Sequence, residues 1–184
     1  MRNIPFHAVI PAARTENEYI HAIHSPSPCV FLLCDSVVKL PEHIGMSKNN
    51  GKKLFVHADM IDGLDGSNAA VDFLAALGAS GVISTRAGVV KYAKSIGLCT
   101  VRRFFIVDGQ SLETALDNTA RLFPDYVELM PGLTGKVFER FEPLGVPVIA
   151  GGLVENKRER DDAFACGAYA VSSSHWEKLA ETTL

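Results

Sequence analysis

The stretch PVIAGGLVENKRERDDAFACGAYAVSSSHW, residues 147–176, decides the fold of this chain. It opens with the apolar run Val148–Ala150, which stops on two glycines. An amphipathic segment, Glu155–Cys166, follows, and a second apolar run, Ala168–Val171, then stops on three serines. This order is typical of a strand–helix–strand unit of parallel sheet with a small polar turn after each strand.

The two polar turns, Gly151–Gly152 and Ser172–Ser174, together predict an anion site. Glycine lets a ligand approach the backbone closely, and free backbone N–H groups beside a helix N-terminus attract phosphate. In (β/α)8 barrels, the loops after the last two strands often hold a phosphate. A tight turn explains the glycines alone and a helix cap explains the serines alone. The combination of the two turns favours phosphate binding.

Short apolar runs recur along the whole chain and alternate with segments of helical periodicity. The runs are Ala8–Ile10, Val30–Leu33, Leu54–Val56, Gly81–Ile83, Phe104–Val107, Tyr126–Leu129, Val148–Ala150 and Ala168–Val171. Eight strands alternating with helices favour an α/β fold closed into a parallel (β/α)8 barrel of the TIM type. Because such barrels typically have about 250 residues and this chain has 184, we expect one compact barrel domain, residues 1–184, with some helices shortened.

Three segments between the apolar runs have more specific predictions. Ala69–Leu77 has its apolar residues at helical spacing and predicts a helix. Ser111 is the expected N-cap of a helix that extends to Leu122. Pro41–Lys53, rich in glycine and asparagine, is expected to be irregular.

Composition and charge exclude several classes of protein. A hydrophobic content of 47% and a charged content of 21% are ordinary for a globular domain, and a net charge of −3 gives no general attraction to nucleic acid or membrane. No apolar run approaches the length of a membrane span, so we expect no membrane partner. Cys29, Cys34, Cys99 and Cys166 lack CxxC spacing and are expected to be buried thiols in a cytoplasmic protein. The histidines lack metal-ligand spacing, and we expect neither a metal nor a cofactor.

Charged side chains within or beside the apolar runs mark a second group of candidates. His57 and Asp59 share strand parity, so both are expected to point into the barrel. Arg103 and Glu128 lie in adjacent predicted strands, and an ion pair is the usual condition for burying either side chain. That pair has two open interpretations, a structural element of the barrel and a ligand contact.

Blocks spread over nearly the whole chain resemble one family. They are Val30–Leu33, Val56–Asp59, Asp62–Leu64, Gly81–Arg86, Arg103–Phe105, Pro124–Glu128, Pro131–Gly132, Ile149–Leu153, Gly167–Ala168 and Ala170–Ser174. In these blocks the chain is similar to the glycerol-3-phosphate-responsive antiterminators of bacterial glycerol-uptake operons. The resemblance implies a barrel that binds glycerol 3-phosphate, and a leader messenger RNA as partner, through which early transcription termination is prevented. It implies a regulator, not an enzyme.

The candidate ligand-binding residues combine both groups. They are His57, Asp59, Arg103, Glu128, Gly151, Gly152, Ser172, Ser173 and Ser174. Backbone N–H groups of Gly152, Ser173 and Ser174 are expected to hold the phosphate. Asp59 and Glu128 are expected to face the hydroxyl-bearing end, because a carboxylate beside a phosphate dianion repels it.

Two other functions stay open at this point, together with the location of the RNA surface. One is a small barrel enzyme acting on a phosphorylated three-carbon substrate, with His57, Asp59 or Glu128 as acid or base. The other is a metabolite-binding protein whose output is another protein. The basic candidates for the RNA surface are Lys48, Lys52, Lys53, Arg102, Arg103, Lys157, Arg158 and Arg160. The sequence leaves the oligomeric state open, and a homo-oligomer stays among the alternatives.

Overall fold

The structure, a computed structural model, describes residues 3–180 and has alternating strands and helices. The elements are β1 (Ala8–Ala13), α1 (Glu16–Ile23), β2 (Cys29–Leu32), β3 (Asp35–Ser36), α2 (Leu40–Asn49), β4 (Lys53–His57), β5 (Ile61–Asp62), α3 (Asn68–Leu77), β6 (Gly81–Ser84), α4 (Ala87–Ser95), β7 (Cys99–Phe105), α5 (Gly109–Leu122), β8 (Tyr126–Met130), α6 (Gly135–Phe138), a 3-10 helix (Glu139–Leu144), β9 (Val148–Gly151), α7 (Lys157–Ala165), β10 (Ala170–Ser173) and α8 (Trp176–Ala180).

Eight of the strands close into a parallel barrel in chain order, which confirms the predicted fold. The order is β1, β2, β4, β6, β7, β8, β9 and β10, and β10 pairs with β1 through Ala170 and Ala8. The short strands β3 and β5 form a separate parallel pair. The helix after β8, α6, has only four residues, as expected for a chain this short. Among the described residues, no helix is long and apolar enough to cross a bilayer.

The core has an interior layer and an outer layer because side chains alternate across each strand. Phe31 and Phe55 belong to the cluster that fills the barrel, and both are fully buried. Val30 and Leu54, one residue earlier in each strand, belong instead to the cluster between strands and helices. The interior is therefore packed with aromatic and aliphatic side chains at one end, which leaves the other end for polar groups.

The prediction of an irregular segment at Pro41–Lys53 is wrong, because α2 occupies most of it. Pro41 lies in the first turn of α2, where a missing backbone N–H has no intrahelical partner to lose. Leu40 and Ile44 are buried and anchor one face of the helix.

The structure also corrects the start of α5, the position of β7 and the burial of two cysteines. Asp108 is the N-cap of α5, and Ser111 completes a capping box: the Asp108 carboxylate accepts from the Ser111 N–H at 2.7 Å. β7 begins at Cys99, five residues before the predicted run. Its first part contains a threonine and two arginines, which interrupt the apolar pattern, and Thr100 and Arg103 find polar partners on neighbouring segments. Cys34 is exposed and Cys166 is half-buried, in contrast to the expected burial of all four thiols.

Candidate functional site

A cavity of about 470 Å³ opens at the carboxyl ends of the barrel strands. Polar side chains lie at its deepest point, here called the floor, and at its opening, here called the rim, and apolar side chains form the walls between them. Leu33, Phe105, Met130, Leu153 and Val154 form most of the walls. In barrels of this architecture the carboxyl-terminal face of the sheet holds the functional site, so this cavity is the candidate site.

The floor of the cavity is a buried ion pair between β7 and β8. Arg103 and Glu128 are register partners, and Arg103 Nε donates to Glu128 Oε2 at 2.6 Å. The Arg103 side chain is 5% exposed and the Glu128 side chain 1%. Ser172 Oγ on β10 donates to the other carboxylate oxygen, Oε1, at 2.5 Å. The expected pair therefore forms, and it is satisfied on both oxygens of Glu128.

Gly151 does not line the cavity. Because it has no side chain, it leaves room for the groups that form the floor. A Cβ atom at this position would lie 2.6 Å from Glu128 Oε1 and 3.0 Å from Ser172 Oγ. Because β9 passes between β8 and β10, the hydrogen bond from Ser172 to Glu128 must cross it. Glycine at position 151 makes this crossing possible, which gives Gly151 a structural role in the site.

The turn after β9 begins with Gly152, which does line the cavity. Its φ of +70° is in the left-handed region, and a Cβ atom there would lie 2.7 Å from Met130 Cε. Within residues 3–180, the Gly152 N–H donates to no acceptor. This N–H therefore stays available to a ligand.

The serines after β10 have three different environments. Ser172 is bonded to the floor carboxylate. Ser173 Oγ donates to the Val154 carbonyl at 2.6 Å and accepts from the His175 N–H at 3.0 Å, so it ties the last two loops together. Ser174 is half-buried at the rim, where Arg14 Nη2 donates to its Oγ at 3.4 Å. Ser174 is thus the serine whose hydroxyl is most accessible to a ligand.

Arg14 is a functional candidate that the sequence analysis missed. It lies one residue beyond the end of β1, is exposed and lines the rim together with His175 and Glu155. The signal was present in the sequence, because a charged residue directly after a barrel strand faces the functional end. It was hidden by Pro11, which made the first apolar run look shorter than the strand is.

His57 lies outside the cavity lining and is buried in the barrel, with 2% of its surface exposed. Burial, followed by the nearby charge of Arg103, lowers the pKa of His57 to about 4. Its Nδ1 atom has no hydrogen-bond partner among the described residues. The imidazole is therefore neutral at physiological pH.

Asp59 also lies outside the cavity lining, because the chain turns directly after His57. Its carboxylate accepts from Ser84 Oγ at 2.7 Å, from the Thr85 N–H at 2.6 Å and from Thr85 Oγ1 at 2.8 Å. Although burial acts to raise it, these hydrogen bonds lower the pKa of Asp59 below its ordinary value. Asp59 holds the loop after β4 to the loop after β6.

The basic RNA candidates separate into three groups. Arg102 and Arg103 are buried, so their assignment to an RNA surface is wrong. Lys157, Arg158 and Arg160 lie on α7, where acidic neighbours in the same helix pair with both arginines. Lys48, Lys52 and Lys53 lie where α2 leads into β4, at the end of the barrel opposite the cavity.

Comparison with known proteins gives consistent matches over most of the chain. It is 31% identical to the uncharacterized protein YgcP of Escherichia coli K12 over 169 residues, which is 91% of this chain and 88% of that protein. The crystal structure of a glycerol uptake operon antiterminator regulatory protein from Listeria monocytogenes superposes with a TM-score of 0.86 at 30% identity, covering 91% of each chain. A glycerol uptake operon antiterminator-related protein from Thermotoga maritima gives 0.86 at 29% identity, covering 96% of this chain and 99% of that one.

A more distant match shares the fold alone. Deoxyribose phosphate aldolase from Aeropyrum pernix superposes with a TM-score of 0.73 at 19% identity, covering 94% of this chain and 86% of that one. The sequence profile described as glycerol-3-phosphate responsive antiterminator, in contrast, matches residues 9–178. The chain therefore belongs to the glycerol-3-phosphate responsive antiterminator family.

Proposed function

We propose that this protein is a cytoplasmic regulator that binds glycerol 3-phosphate in the cavity and binds leader messenger RNA to prevent early transcription termination of glycerol-uptake genes. Family membership supports both parts. The observation that carries the ligand assignment is the polarity of the cavity, which has anion-binding groups at the rim and a neutralised donor–acceptor pair on the floor.

The phosphate binds at the rim in this proposal. The Gly152 N–H, the Ser174 hydroxyl and the Arg14 guanidinium are the donors there, and Arg14 supplies the positive charge. A phosphate dianion on the floor instead would meet Glu128. The charge of Glu128 is already balanced by Arg103, so the floor offers a dianion no net positive charge, whereas Arg14 at the rim does.

The glycerol hydroxyls then face the floor. Arg103 uses its Nε atom on Glu128. Its terminal nitrogens donate to none of the described residues and remain for a ligand oxygen. Glu128 offers the lone pairs that Arg103 and Ser172 leave free. A hydroxyl both donates and accepts, which suits a floor that presents both functions.

A binding role fits this floor better than the alternative role as an enzyme on a phosphorylated three-carbon substrate. Both oxygens of Glu128 are engaged by neighbouring side chains, which is a poor arrangement for a general base. No lysine lines the cavity within residues 3–180, so Schiff-base chemistry lacks its nucleophile there.

Isothermal titration with glycerol 3-phosphate, inorganic phosphate and glycerol tests the ligand assignment. Arg14→Gln is expected to weaken both phosphate-bearing ligands by about 1.5–3 kcal/mol, the range for a hydrogen bond to a charged group. Ser174→Ala is expected to weaken them by about 0.5–1.5 kcal/mol. Arg140→Gln is the matched control, because Arg140 is exposed and pairs with Glu113 away from the cavity. Equal affinities in Arg14→Gln and Arg140→Gln would contradict the rim assignment.

Transcription in vitro tests the regulatory assignment. A template with the leader and terminator of the glycerol-uptake genes is transcribed with protein, and with and without glycerol 3-phosphate. We expect more full-length transcript when protein and ligand are both present. Turnover of triose phosphates by the protein, without any change in termination, would support the enzyme instead.

A further inference from the structure

The end of the barrel opposite the cavity carries uncompensated positive charge in a protein whose net charge is −3. It lies where helices lead into strands. Five cationic side chains lie in or directly beside the connections from α2 to β4, from α4 to β7 and from α5 to β8: Lys48, Lys52, Lys53, Lys94 and Arg121. These side chains together with Phe123 are called the basic face here.

The cations of the basic face donate to neutral oxygens. Lys48 Nζ donates to the Leu77 carbonyl at 2.8 Å, Lys53 Nζ to Asn3 Oδ1 at 3.2 Å and Lys94 Nζ to the Phe123 carbonyl. Lys52 donates to two carbonyls and Arg121 to one. All ion pairs within residues 3–180 involve other side chains. The positive charge of this face therefore has no carboxylate partner.

Asp125 is the acidic residue of these connections, and it is already engaged. Its Oδ2 atom accepts from the Thr100 N–H and from Thr100 Oγ1, each at 2.8 Å. These bonds hold the carboxylate to the start of β7, and among the described residues it forms no ion pair with the lysines. A polyanion at this face meets mostly positive groups.

Phe123 adds an aromatic surface to the basic face. The residue is 54% exposed. Lys94 Nζ lies 5.2 Å from the centre of its ring. The ring borders a cavity of about 330 Å³ that Asn3, Lys94 and Asp125 also line. An exposed ring beside cations is the arrangement on which single-stranded bases stack.

The backbone of Phe123 gives an independent reason to assign it a role. The residue ends α5 with a φ of 46°, in the left-handed region where glycine is the favoured residue. A bulky residue there is a strained outlier. Its side chain gains little from burial in return. A phenylalanine that is both strained and exposed is explained by a contact outside the chain.

We propose that the basic face binds single-stranded RNA, with a base stacked on Phe123 and phosphates contacting the lysines. This inference rests on the proposed function and assigns its RNA to the end of the barrel opposite the ligand cavity. Charge selects the partner, because a single-stranded nucleic acid supplies both the phosphates and the bases that this surface accommodates.

Phe123→Gly tests the stacking contact without the usual risk to the fold. Because glycine relieves the left-handed strain, the melting temperature is expected to stay equal or rise. Fluorescence anisotropy with labelled leader RNA of the glycerol-uptake genes is expected to show a Kd increase of about 5- to 150-fold, as for loss of one stacked base. Phe73→Ala is the control, since Phe73 is 36% exposed and lies on α3.

The salt dependence of binding tests the lysines separately. In the double variant Lys53→Gln and Lys94→Gln, the slope of log K against log salt is expected to become shallower by about 1.4, or about 0.7 for each phosphate that is no longer neutralised. The control variant, Lys136→Gln and Lys178→Gln, changes the net charge equally but alters exposed side chains elsewhere. Its slope is expected to match that of the wild type.

The outcomes separate this inference from the proposed function. Tight RNA binding by the wild type that the basic-face variants leave unchanged overturns the location only. No RNA binding by the wild type, with or without glycerol 3-phosphate, overturns the regulatory function and the location together. Equally tight binding of a polyglutamate peptide, abolished in the same variants, would indicate an acidic protein partner and overturn the RNA assignment.

Discussion

Replacement of Glu128 with alanine is expected to lower the free energy of unfolding by about 3–5 kcal/mol, the range for a buried ion pair broken on one side. Arg103 stays behind with a side chain that is 5% exposed, and it loses the carboxylate 2.6 Å from its Nε atom. Ser172 loses its acceptor as well, which contributes about 1 kcal/mol within that range. Urea denaturation at neutral pH, followed by fluorescence and circular dichroism, measures the change.

Two companion variants make this result specific to the ion pair. The double variant Arg103→Met and Glu128→Leu removes both charges together, and its stability is expected within about 1–2 kcal/mol of the wild type because no charge is left buried alone. Gly151→Ala places a methyl group 2.6 Å from Glu128 Oε1 in the wild type. In the Glu128→Ala background this clash disappears, so Gly151→Ala should cost clearly less there.

A loss below about 1 kcal/mol in Glu128→Ala, the value typical of an exposed pair, would refute the burial of this ion pair. Equal destabilisation by the single and the double variant would show that reduced packing, not the unpaired charge, sets the magnitude. Additive effects of Gly151→Ala and Glu128→Ala would show that the two groups do not touch.

Three further predictions concern other parts of the structure. As the pH falls from 6.5 to 4, His57 should lower the free energy of unfolding by about 3 kcal/mol, because its imidazole takes up a proton at the ordinary pKa in the unfolded chain but only near pH 4 in the folded one. In urea melts over this pH range, His57→Gln should therefore lose about 3 kcal/mol less stability than the wild type. Gly152→Val should abolish glycerol 3-phosphate binding in titration calorimetry and lower stability by about 1–3 kcal/mol, since a φ of +70° and the nearby Met130 both oppose a branched side chain. Asp108→Ala should lower stability in thermal melts by about 1 kcal/mol through loss of the N-cap of α5, and an unchanged melting temperature would contradict the capping box.

The barrel was predictable because its signal is repeated. Each strand buries both faces, so each appears in the sequence as a short apolar run, and the number of runs limits the topology to a few choices. The buried ion pair was predictable for a related reason. Opposite charges inside two neighbouring strands, Arg103 and Glu128, have few alternatives to pairing.

The errors arose where a strand ends at a different residue from the one that the sequence pattern indicates. The parity that places His57 inside the barrel does not extend to Asp59, because the chain has already turned there. Pro11 interrupted the apolar pattern of β1, although the strand continues to Ala13, and Arg14 was missed with it. The hydrogen bond between Ser172 and Glu128 across Gly151 depends on sheet register, which local sequence does not encode.

The strand β7 touches both ends of the molecule. It begins at Cys99, beside the cavity of the basic face, and reaches Arg103 and Phe105 in the cavity at the opposite end. A small effector and an RNA that occupy these two ends do not compete for space, so any influence of one on the other is a coupling free energy carried by the protein. Thermodynamic linkage makes that coupling reciprocal: the factor by which the effector tightens RNA binding is the factor by which RNA tightens effector binding.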